Sequence, residues 1–530
     1  MRNHELSRRE FVRSLAAGGA AAATAAGASA PRRPNIVLIM ADDMGFSDIG
    51  CYGGEIATPN IDSLARDGLR FNQFYNNAKC CPTRSALLTG LYNHEAGVGN
   101  MVENLGTPSY QGFLNEKCVT IAEALREGGY TTLMSGKWHV GEQRPHWPRD
   151  RGFDRYFGLI SGSSNYYRVT EERPLAIDDQ PYRPKDDSFY LTDLFGENAV
   201  KFLDQYGRQQ KPFFLYTAFT SPHWPLHALK EDIEKYRGKY MMGWDELRKR
   251  RHARMIEMGI VDRKWPLTPR DPEAPAWDSV KNKDEFDLKM AVYAAQIDRM
   301  DQNIGRILRK LEEVGAQDNT LVLFLADNGG CSVEVDRGKP GLPPGGPDSF
   351  LSYGLPWANA SNTPFRLYKS WVHEGGISTP LIACWPGRIQ GGKLTSQPGH
   401  IMDVMPTCLE LAGVKYPKTY KGREILSLEG RSLAPVLNGK QREPNPALFW
   451  EHQGNRAMRQ GNLKLVSRRP EQWELYDLEA DRTELNNLAG KYPDKVKELD
   501  GMYQGWAKRC GVLTPEELRK LRRKKGGSAA

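Results

Sequence analysis

Short, uninterrupted apolar runs alternate with amphipathic stretches along most of the chain. The runs at 35–40 (NIVLIM), 212–219 and 320–325 show no polar alternation, which is the pattern of strands buried on both faces of a parallel sheet. Between the last two runs, residues 292–315 repeat apolar positions at a spacing of three and four, which predicts a long amphipathic helix. Strands that alternate with helices predict an α/β protein whose open sheet carries helices on both faces.

The pattern changes after residue 440. Short strand-like runs separated by Gly and Asn precede an amphipathic stretch at about 492–509. We therefore expect a main domain over 31–440 and a small antiparallel α+β subdomain over 441–512. The basic run RKLRRKK at 519–525 predicts that 513–530 is a flexible, solvated tail. Attraction of this run to an anionic surface or polymer is the alternative.

The first thirty residues have the pattern of an export signal. SRREFVR (7–13) is followed by an uncharged run of small apolar residues that ends in an A-x-A-like sequence. The pair Arg8 and Arg9, followed by Phe11, resembles a twin-arginine signal. We expect passage through the twin-arginine translocase to the periplasm or exterior, and removal of 1–30. Cleavage after Ala28 and after Ala30 both remain open.

The amino-acid composition limits the classes of function that this protein can have. The 530 residues are 39% hydrophobic and include 12 Trp, 22 Tyr and 18 Phe, which indicates a globular protein with a large core. The formal net charge of +8 is modest for this length, and no repeat or nucleic-acid-binding module is present in the sequence. No interior apolar run is long enough for a stable membrane span. The eight cysteines are scattered without CxxC spacing, which predicts neither a disulfide framework nor a zinc site.

Polar side chains follow four predicted strands, at the edge where open α/β sheets bind ligands. Oxygen donors such as these aspartates and the asparagine suit Ca²⁺ or Mg²⁺ better than zinc. Lysines beside a divalent cation predict a site for sulfate or phosphate, and histidines there can transfer protons near neutral pH. The residues are Asp42 and Asp43 after 35–40, Lys137 and His139 after 131–135, Ser221 and His223 after 212–219, and Asp327 and Asn328 after 320–325, with Lys369 further along the chain.

Six motifs occur in the order ADDMG, CCPTRSALLTG, GKWHVG, SPHWP, ADNGG and KSWVHEGG. Their order and character resemble the type I sulfatases of the alkaline phosphatase superfamily, and ELYDLEADRTELNNLA resembles the C-terminal subdomain of that family. The resemblance implies an alkaline-phosphatase-like mixed, mostly parallel sheet between helices. It also implies hydrolysis of sulfate esters.

The resemblance assigns the nucleophile to Cys80. A separate maturase oxidises this cysteine to Cα-formylglycine, whose hydrate attacks sulfur with one hydroxyl and then expels sulfate through the other. By motif spacing Cys81 occupies the variable position and is a bystander, because starting the motif at Cys81 would place Pro82 one residue too early. Thr83 stands where the family often has serine, a small departure that leaves the site intact.

The same resemblance implies the other roles. Ca²⁺, in preference to Mg²⁺, is held by residue 80 with Asp42, Asp43, Asp327 and Asn328. Lys137 and Lys369 bind the sulfate, Arg84 orients the hydrate, His139 is the base and His223 the acid. A serine that contacts substrate is either Ser161 or Ser163.

The expected substrate is a small-molecule or oligosaccharide sulfate ester, with a sulfated carbohydrate favoured. Two alternatives remain open at this point. The first is a phosphonate monoester or phosphodiester hydrolase, since relatives in the superfamily use the same modified cysteine. The second is a non-catalytic binder of sulfated glycans, against which the complete set of nucleophile, metal ligands, lysines and histidines argues.

Overall fold

The computed structural model describes residues 32–185 and 189–525. The predicted signal peptide, the choice between Ala28 and Ala30, and residues 526–530 lie outside this range. The strands are β1 Asn35–Ala41, β2 Leu69–Tyr75, β3 Thr131–Gly136, β4 Arg155–Leu159, β5 Leu175–Ile177, β6 Gln180–Tyr182, β7 Phe213–Ala218, β8 Thr320–Ala326, β9 Ser378–Cys384, β10 Lys393–Thr395, β11 Gly399–His400, β12 Thr419–Tyr420, β13 Arg423–Glu424, β14 Leu448–His452, β15 Asn455–Gln460, β16 Leu463–Ser467 and β17 Glu474–Asp477.

The α-helices of the described residues include the predicted long one, which begins earlier than its apolar pattern indicated. They are α1 Pro59–Arg66, α2 Cys80–Thr89, α3 Ile121–Glu127, α4 Leu191–Tyr206, α5 Lys230–Glu234, α6 Gly243–Glu257, α7 Lys283–Glu313, α8 Gly354–Ser361, α9 Glu374–Ile377, α10 Val404–Ala412, α11 Ala434–Leu437, α12 Pro493–Cys510 and α13 Pro515–Lys524.

A mixed, mostly parallel sheet forms the centre of the main domain. Its strands follow the order β10-β2-β9-β8-β1-β7-β3-β4-β5-β6, and β11 pairs with β2. The central strands β8, β1, β7, β3 and β4 are parallel to one another, whereas β9 runs antiparallel to β8 and β2. The predicted fold class is therefore confirmed.

The two faces of the central strands enter different cores. On β1, Val37 and Ile39 join the core that includes α1, α4 and α7, whereas Leu38 and Met40 join the core that includes α2, α3 and α10. All four side chains are fully buried. Both faces are thus covered by helices, which explains why these strands lack the polar alternation of a one-sided sheet.

The C-terminal subdomain is the antiparallel sheet β14-β15-β16-β17 with α12 packed against it. A cluster of fully buried charges joins it to α9 of the main domain. Lys464 of β16 donates to Glu374 at 2.9 Å and lies 2.8 Å from Glu484, and Arg482 donates to Glu374 at 3.1 Å. Each charge has an opposite partner, as buried ions require.

The prediction of a flexible tail over 513–530 is wrong for the described part of that segment. Residues Pro515–Lys524 form α13, and Thr514 begins it with a capping box, in which the backbone N–H of Thr514 and the side chain of Glu517 pair at 2.7 Å. Leu518 is buried against Leu105 and Tyr110. The basic residues therefore lie on an ordered helix, whose T-x-x-E start was present in the sequence.

All eight cysteines lie within the described residues, and each is a buried free thiol. No disulfide framework forms among them. Within the same residues no helix combines the length and the apolar character needed to cross a membrane.

Candidate active site

The carboxyl ends of four adjacent parallel strands bring the predicted polar residues together. β8, β1, β7 and β3 are neighbours in that order, so the residues that follow them meet at one edge of the sheet. The register places Ala41 beside Ala326, which sets the next residues, Asp42 and Asp327, side by side. Cys80 and Arg84 reach the same point from α2, and Lys369 reaches it from the segment before α9.

Three buried carboxylates form the floor of the site. Asp42, Asp43 and Asp327 are at most 1% exposed. The backbone N–H of Asp43 donates to Asp327 Oδ1 at 3.2 Å, and Asn328 Nδ2 donates to Asp43 Oδ1 at 2.7 Å. Asp43 adopts a positive φ of 65°, an uncommon conformation that turns the chain at the strand end.

Each carboxylate is paired with a buried cation. Lys137 Nζ donates to Asp42 Oδ2 at 2.5 Å, and Lys369 Nζ donates to Asp43 Oδ1. Arg84 donates to Asp327 Oδ2 at 2.9 Å. In these pairs, three positive charges compensate the three carboxylates of the floor. The pairs also hold two ammonium groups and one guanidinium group beside Cys80.

The electrostatic environment differs among the carboxylates. Burial, followed by the charge of Asp42, raises the pKa of Asp327 to about 8, although Arg84 and Lys137 oppose the rise. Burial alone would raise the pKa of Asp43 as well, but His223 and Lys369 bring it down to about 2. Packed carboxylates of this kind are stabilised in their ionised form by a nearby cation.

Three oxygen atoms of this cluster are buried without a hydrogen-bond partner among the described residues. They are Asp42 Oδ1, Asp43 Oδ2 and Asn328 Oδ1. Buried polar atoms are nearly always satisfied, so the lone pairs of these unpaired oxygens are available to a ligand. A hard divalent cation fits this donor set, because carboxylate and amide oxygens are its preferred ligands.

Cys80 lies at the start of α2 and is 2% exposed. The sulfur atoms of Cys80 and Cys81 and a ring nitrogen of His139 lie within 4.8 Å of one another. A hydrogen bond from Cys81 and the charge of Lys137 hold the pKa of Cys80 well below the usual thiol value, despite burial. The surroundings of position 80 therefore favour the anionic form of its thiol.

Both histidines are neutral near pH 7. Burial lowers the pKa of His139 and that of His223 to about 4 in each case. The His223 Nδ1 atom lies 2.6 Å from the carbonyl oxygen of Trp224, which can only accept, so Nδ1 carries the proton. The other nitrogen, His223 Nε2, then faces Asp43 Oδ2 at 3.4 Å.

Comparison with known proteins agrees with this geometry. The family model described as Sulfatase matches residues 34–414. The chain belongs to the sulfatase family. A second model, described as N-sulphoglucosamine sulphohydrolase, C-terminal, matches residues 365–502 and so covers the small subdomain. The protein is thus a sulfuric ester hydrolase of the alkaline phosphatase superfamily.

Similar proteins match over most of this sulfatase. An uncharacterized sulfatase of Schizosaccharomyces pombe is 37% identical, over 91% of this chain and 95% of its own. The arylsulfatase of Klebsiella aerogenes is 34% identical, over 81% of this chain and 96% of its own. The crystal structure of Ps i-CgsB in complex with k-i-k-neocarrahexaose superposes with a TM-score of 0.67 at 26% identity, covering 90% of this chain and 93% of that one.

The loop after β4 distinguishes the two candidate serines. Ser161 is 3% exposed and its hydroxyl lacks a partner among the described residues, whereas Ser163 is half-buried. Between them, Gly162 lies against the ring of His139. Ser161 is therefore the serine with an unused hydroxyl buried near the reaction centre.

Three features of this sulfatase site were not predicted from the sequence. Cys81 is in contact with the site, since its Sγ lies 3.3 Å from His139 Nε2, whereas the motif position had indicated a bystander. Lys79 and His452 also lie near Cys80. Lys79 directly precedes the cysteine motif and so had a signal in the sequence, but nothing near His452 indicated a role.

Gly162→Ala tests how tightly His139 is held. A Cβ at position 162 would lie 2.4 Å from His139 Cε1 and Nε2, which forces the ring to move. The family resemblance implies that His139 is the base. If it is, displacing the ring slows the reaction more than it weakens binding, so we expect kcat to fall by roughly tenfold to a hundredfold with little change in KM. Steady-state kinetics on 4-nitrophenyl sulfate measures this. An alanine at the exposed Gly490, where a Cβ meets nothing within 4 Å, is the matched glycine control; an equal loss of kcat there would contradict the assignment.

Proposed function

We propose that this sulfatase cleaves R–O–SO₃⁻ with water to R–OH and sulfate, using a formylglycine derived from Cys80 and a bound Ca²⁺, and that its substrate is a sulfated carbohydrate. The supporting observation is the convergence at one buried point of Cys80, Lys137, Lys369 and three unpartnered oxygens. This arrangement provides a position for a nucleophile, cations for the sulfate oxygens and donors for a metal ion.

Asp42, Asp43, Asp327, Asn328 and residue 80 would hold the metal. Ca²⁺ is favoured over Mg²⁺ because Ca²⁺ accepts many protein oxygens, whereas Mg²⁺ usually retains several waters. When bound, the cation offsets negative charge on the sulfate. Lys137 and Lys369 would bind sulfate oxygens directly, and their ion pairs with the floor fix where the two ammonium groups lie.

Formylglycine hydrate supplies one hydroxyl to attack sulfur and a second whose deprotonation releases sulfate. Arg84, which donates to Asp327 and to the carbonyl oxygen of Lys137, is held rigidly enough to orient residue 80. Neutral His139 can accept the proton of the second hydroxyl. His223 is the proposed acid. Because the single proton of its neutral ring, on Nδ1, is donated to Trp224, Nε2 would first have to take up a proton, which it would then give to the leaving oxygen. Ser161 is the proposed serine contact.

Replacing Cys80 and replacing Cys81 should have very different effects on activity. Cys80→Ala removes the precursor of the nucleophile, so we expect hydrolysis of 4-nitrophenyl sulfate to fall to background. Cys81→Ser keeps a small polar group 3.3 Å from His139, so we expect most of the activity to remain. Mass spectrometry of the peptide containing residue 80, after co-expression with a maturase, should show formylglycine in the wild type and in Cys81→Ser.

Comparable losses in both variants, or an unmodified and fully active Cys80, would contradict the assignment. The rate on a phosphonate monoester, measured with the same preparation, tests the rival activity. A higher kcat/KM on the phosphonate than on any sulfate ester would favour that rival.

Removal of the metal should both inactivate and destabilise the enzyme. Without a cation, the unpartnered oxygens of Asp42, Asp43 and Asn328 remain buried and unsatisfied. We expect chelation to abolish turnover and to lower Tm, and Ca²⁺ to restore both more completely than Mg²⁺ at equal concentration. Thermal unfolding with and without chelator measures this. A Tm and an activity that are both unchanged after verified metal removal would exclude a metal at this site.

A sulfated carbohydrate is the proposed substrate class. In its support, the similar structure of Ps i-CgsB holds k-i-k-neocarrahexaose, an oligosaccharide. The half-buried ring of Trp224, 4.6 Å from that of His223, places an aromatic surface beside the proposed acid, and such a surface suits contact with a sugar. Desulfation of a panel of sulfated mono- and oligosaccharides would identify the substrate.

The proposed function includes export. The support is the twin-arginine-like sequence at Arg8 and Arg9, followed by an uncharged apolar run. We expect the mature protein in the periplasm or exterior to begin at residue 29 or 31, and replacement of both arginines by lysine to retain the precursor in the cytoplasm. N-terminal sequencing of the exported and retained forms measures this; export of the double-lysine variant at wild-type level would contradict the assignment.

A further inference from the structure

Lys79 is a third ammonium group beside Cys80. It directly precedes α2 and is half-buried, whereas Lys137 is fully buried and Lys369 is 6% exposed. Its Nζ donates to Ser370 Oγ at 3.0 Å, and the backbone N–H of Ser370 donates to the carbonyl oxygen of Ala78 at 2.7 Å. Lys79 is therefore held against the Lys369 segment, nearer to the surface than the groups that would bind the sulfate.

The charge of Lys79 is not balanced within the described residues. Asp42, Asp43 and Asp327 are each paired with another cation, and no carboxylate of the described chain lies within 4.0 Å of Lys79 Nζ. Placing an unpaired ammonium in a partly desolvated position is unfavourable unless a ligand provides the opposite charge. The proposed metal adds further positive charge, so the floor of the site offers Lys79 no compensation.

His452 adds an unused polar group from the C-terminal subdomain. The ring is fully buried, and both of its nitrogens lack a hydrogen-bond partner among the described residues. Asn455, which pairs with His452 across the β14–β15 hairpin, donates to the carbonyl oxygen of Ser370 at 3.2 Å. The hairpin therefore contacts the same serine as Lys79. Burial, followed by the charge of Lys79, lowers the pKa of His452 to about 3, which agrees with a neutral ring close to that ammonium.

We infer that Lys79 and His452 form an anion subsite beside the sulfate position, and that the substrate is a sulfate ester with a second anionic group, a further sulfate or a carboxylate, close to the ester. This inference rests on the proposed function in one respect, that the scissile sulfate binds between Lys137 and Lys369. Lys79 supplies a charge, and the ring N–H of His452 supplies a hydrogen bond to the same anion. Because Lys79 lies nearer the surface than Lys137 and Lys369, its end of the subsite faces the non-reacting part of the substrate.

Sulfonates can test the anion subsite without being hydrolysed, because their sulfur is bonded to carbon and they contain no sulfate ester. Binding of benzenesulfonate, benzene-1,2-disulfonate and 2-sulfobenzoate to the calcium-loaded full chain is measured by titration calorimetry. We expect at least one of the two dianions to bind about tenfold more tightly than benzenesulfonate. The tighter of the two distinguishes a second sulfate from a carboxylate.

Variants of Lys79 and His452 test whether these residues cause the preference for dianions. Lys79→Gln should reduce the dianion preference to about twofold or less while benzenesulfonate affinity stays within about twofold, and Lys79→Arg should retain the preference. His452→Gln should lower the preference in part, and it provides a second variant if Lys79→Gln lowers Tm. Lys415→Gln, at an exposed lysine outside the site, is the matched control and should change nothing.

The inference is overturned if the wild type binds all three probes with equal affinity, or if none of them binds at millimolar concentration. It is also overturned if Lys79→Gln weakens the binding of all three probes equally, because Lys79 would then contact the scissile sulfate. Its failure is distinguishable from failure of the proposed function. The binding ratio does not depend on formylglycine or turnover, whereas hydrolysis of 4-nitrophenyl sulfate does not depend on a second anion.

Discussion

The pairing of buried carboxylates with buried cations at one sheet edge is the constraint on which the rest of this structure depends. Moving an ionised group from water to a protein interior costs several kcal/mol, so Asp42, Asp43 and Asp327 are tolerable only with close partners. The in-register pairing of β1 with β8 fixes the carboxylates, and Lys137, Lys369 and Arg84 are drawn to them. The same charges that would destabilise the fold if unpaired are those proposed to position a sulfate.

The C-terminal subdomain helps to hold one of these cations in place. Lys369 lies on a segment where Leu367 and Ser370 have φ of 64° and 79°, conformations that persist only when the surroundings hold them. The subdomain provides those surroundings, through Asn455 on the carbonyl oxygen of Ser370 and through Lys464 on Glu374 of the following helix. The small sheet therefore fixes a residue of the main domain.

The sequence was sufficient for features that depend on local pattern and parallel-sheet geometry. Buried strands followed by polar residues predicted that Asp42, Lys137, His223 and Asp327 would meet, because the ends of parallel strands share one edge. The sequence was insufficient to predict contacts that depend on how distant elements pack. The position of His452 follows from the docking of a hairpin, which no local pattern encodes. The ordered helix α13 is a different case, since its capping box was visible but the basic composition was given more weight.

The burial of Cys80 places a condition on its proposed oxidation. The side chain is 2% exposed, lies at the start of a helix whose ten residues are all buried, and is adjacent to Lys79 and His139. A maturase is a macromolecule, so it could not contact a side chain this buried in the folded protein. The proposed conversion would therefore have to precede folding. Because twin-arginine export carries folded proteins, the proposed order is oxidation of Cys80 in the cytoplasm, closure of the ion-paired floor around residue 80, and then translocation.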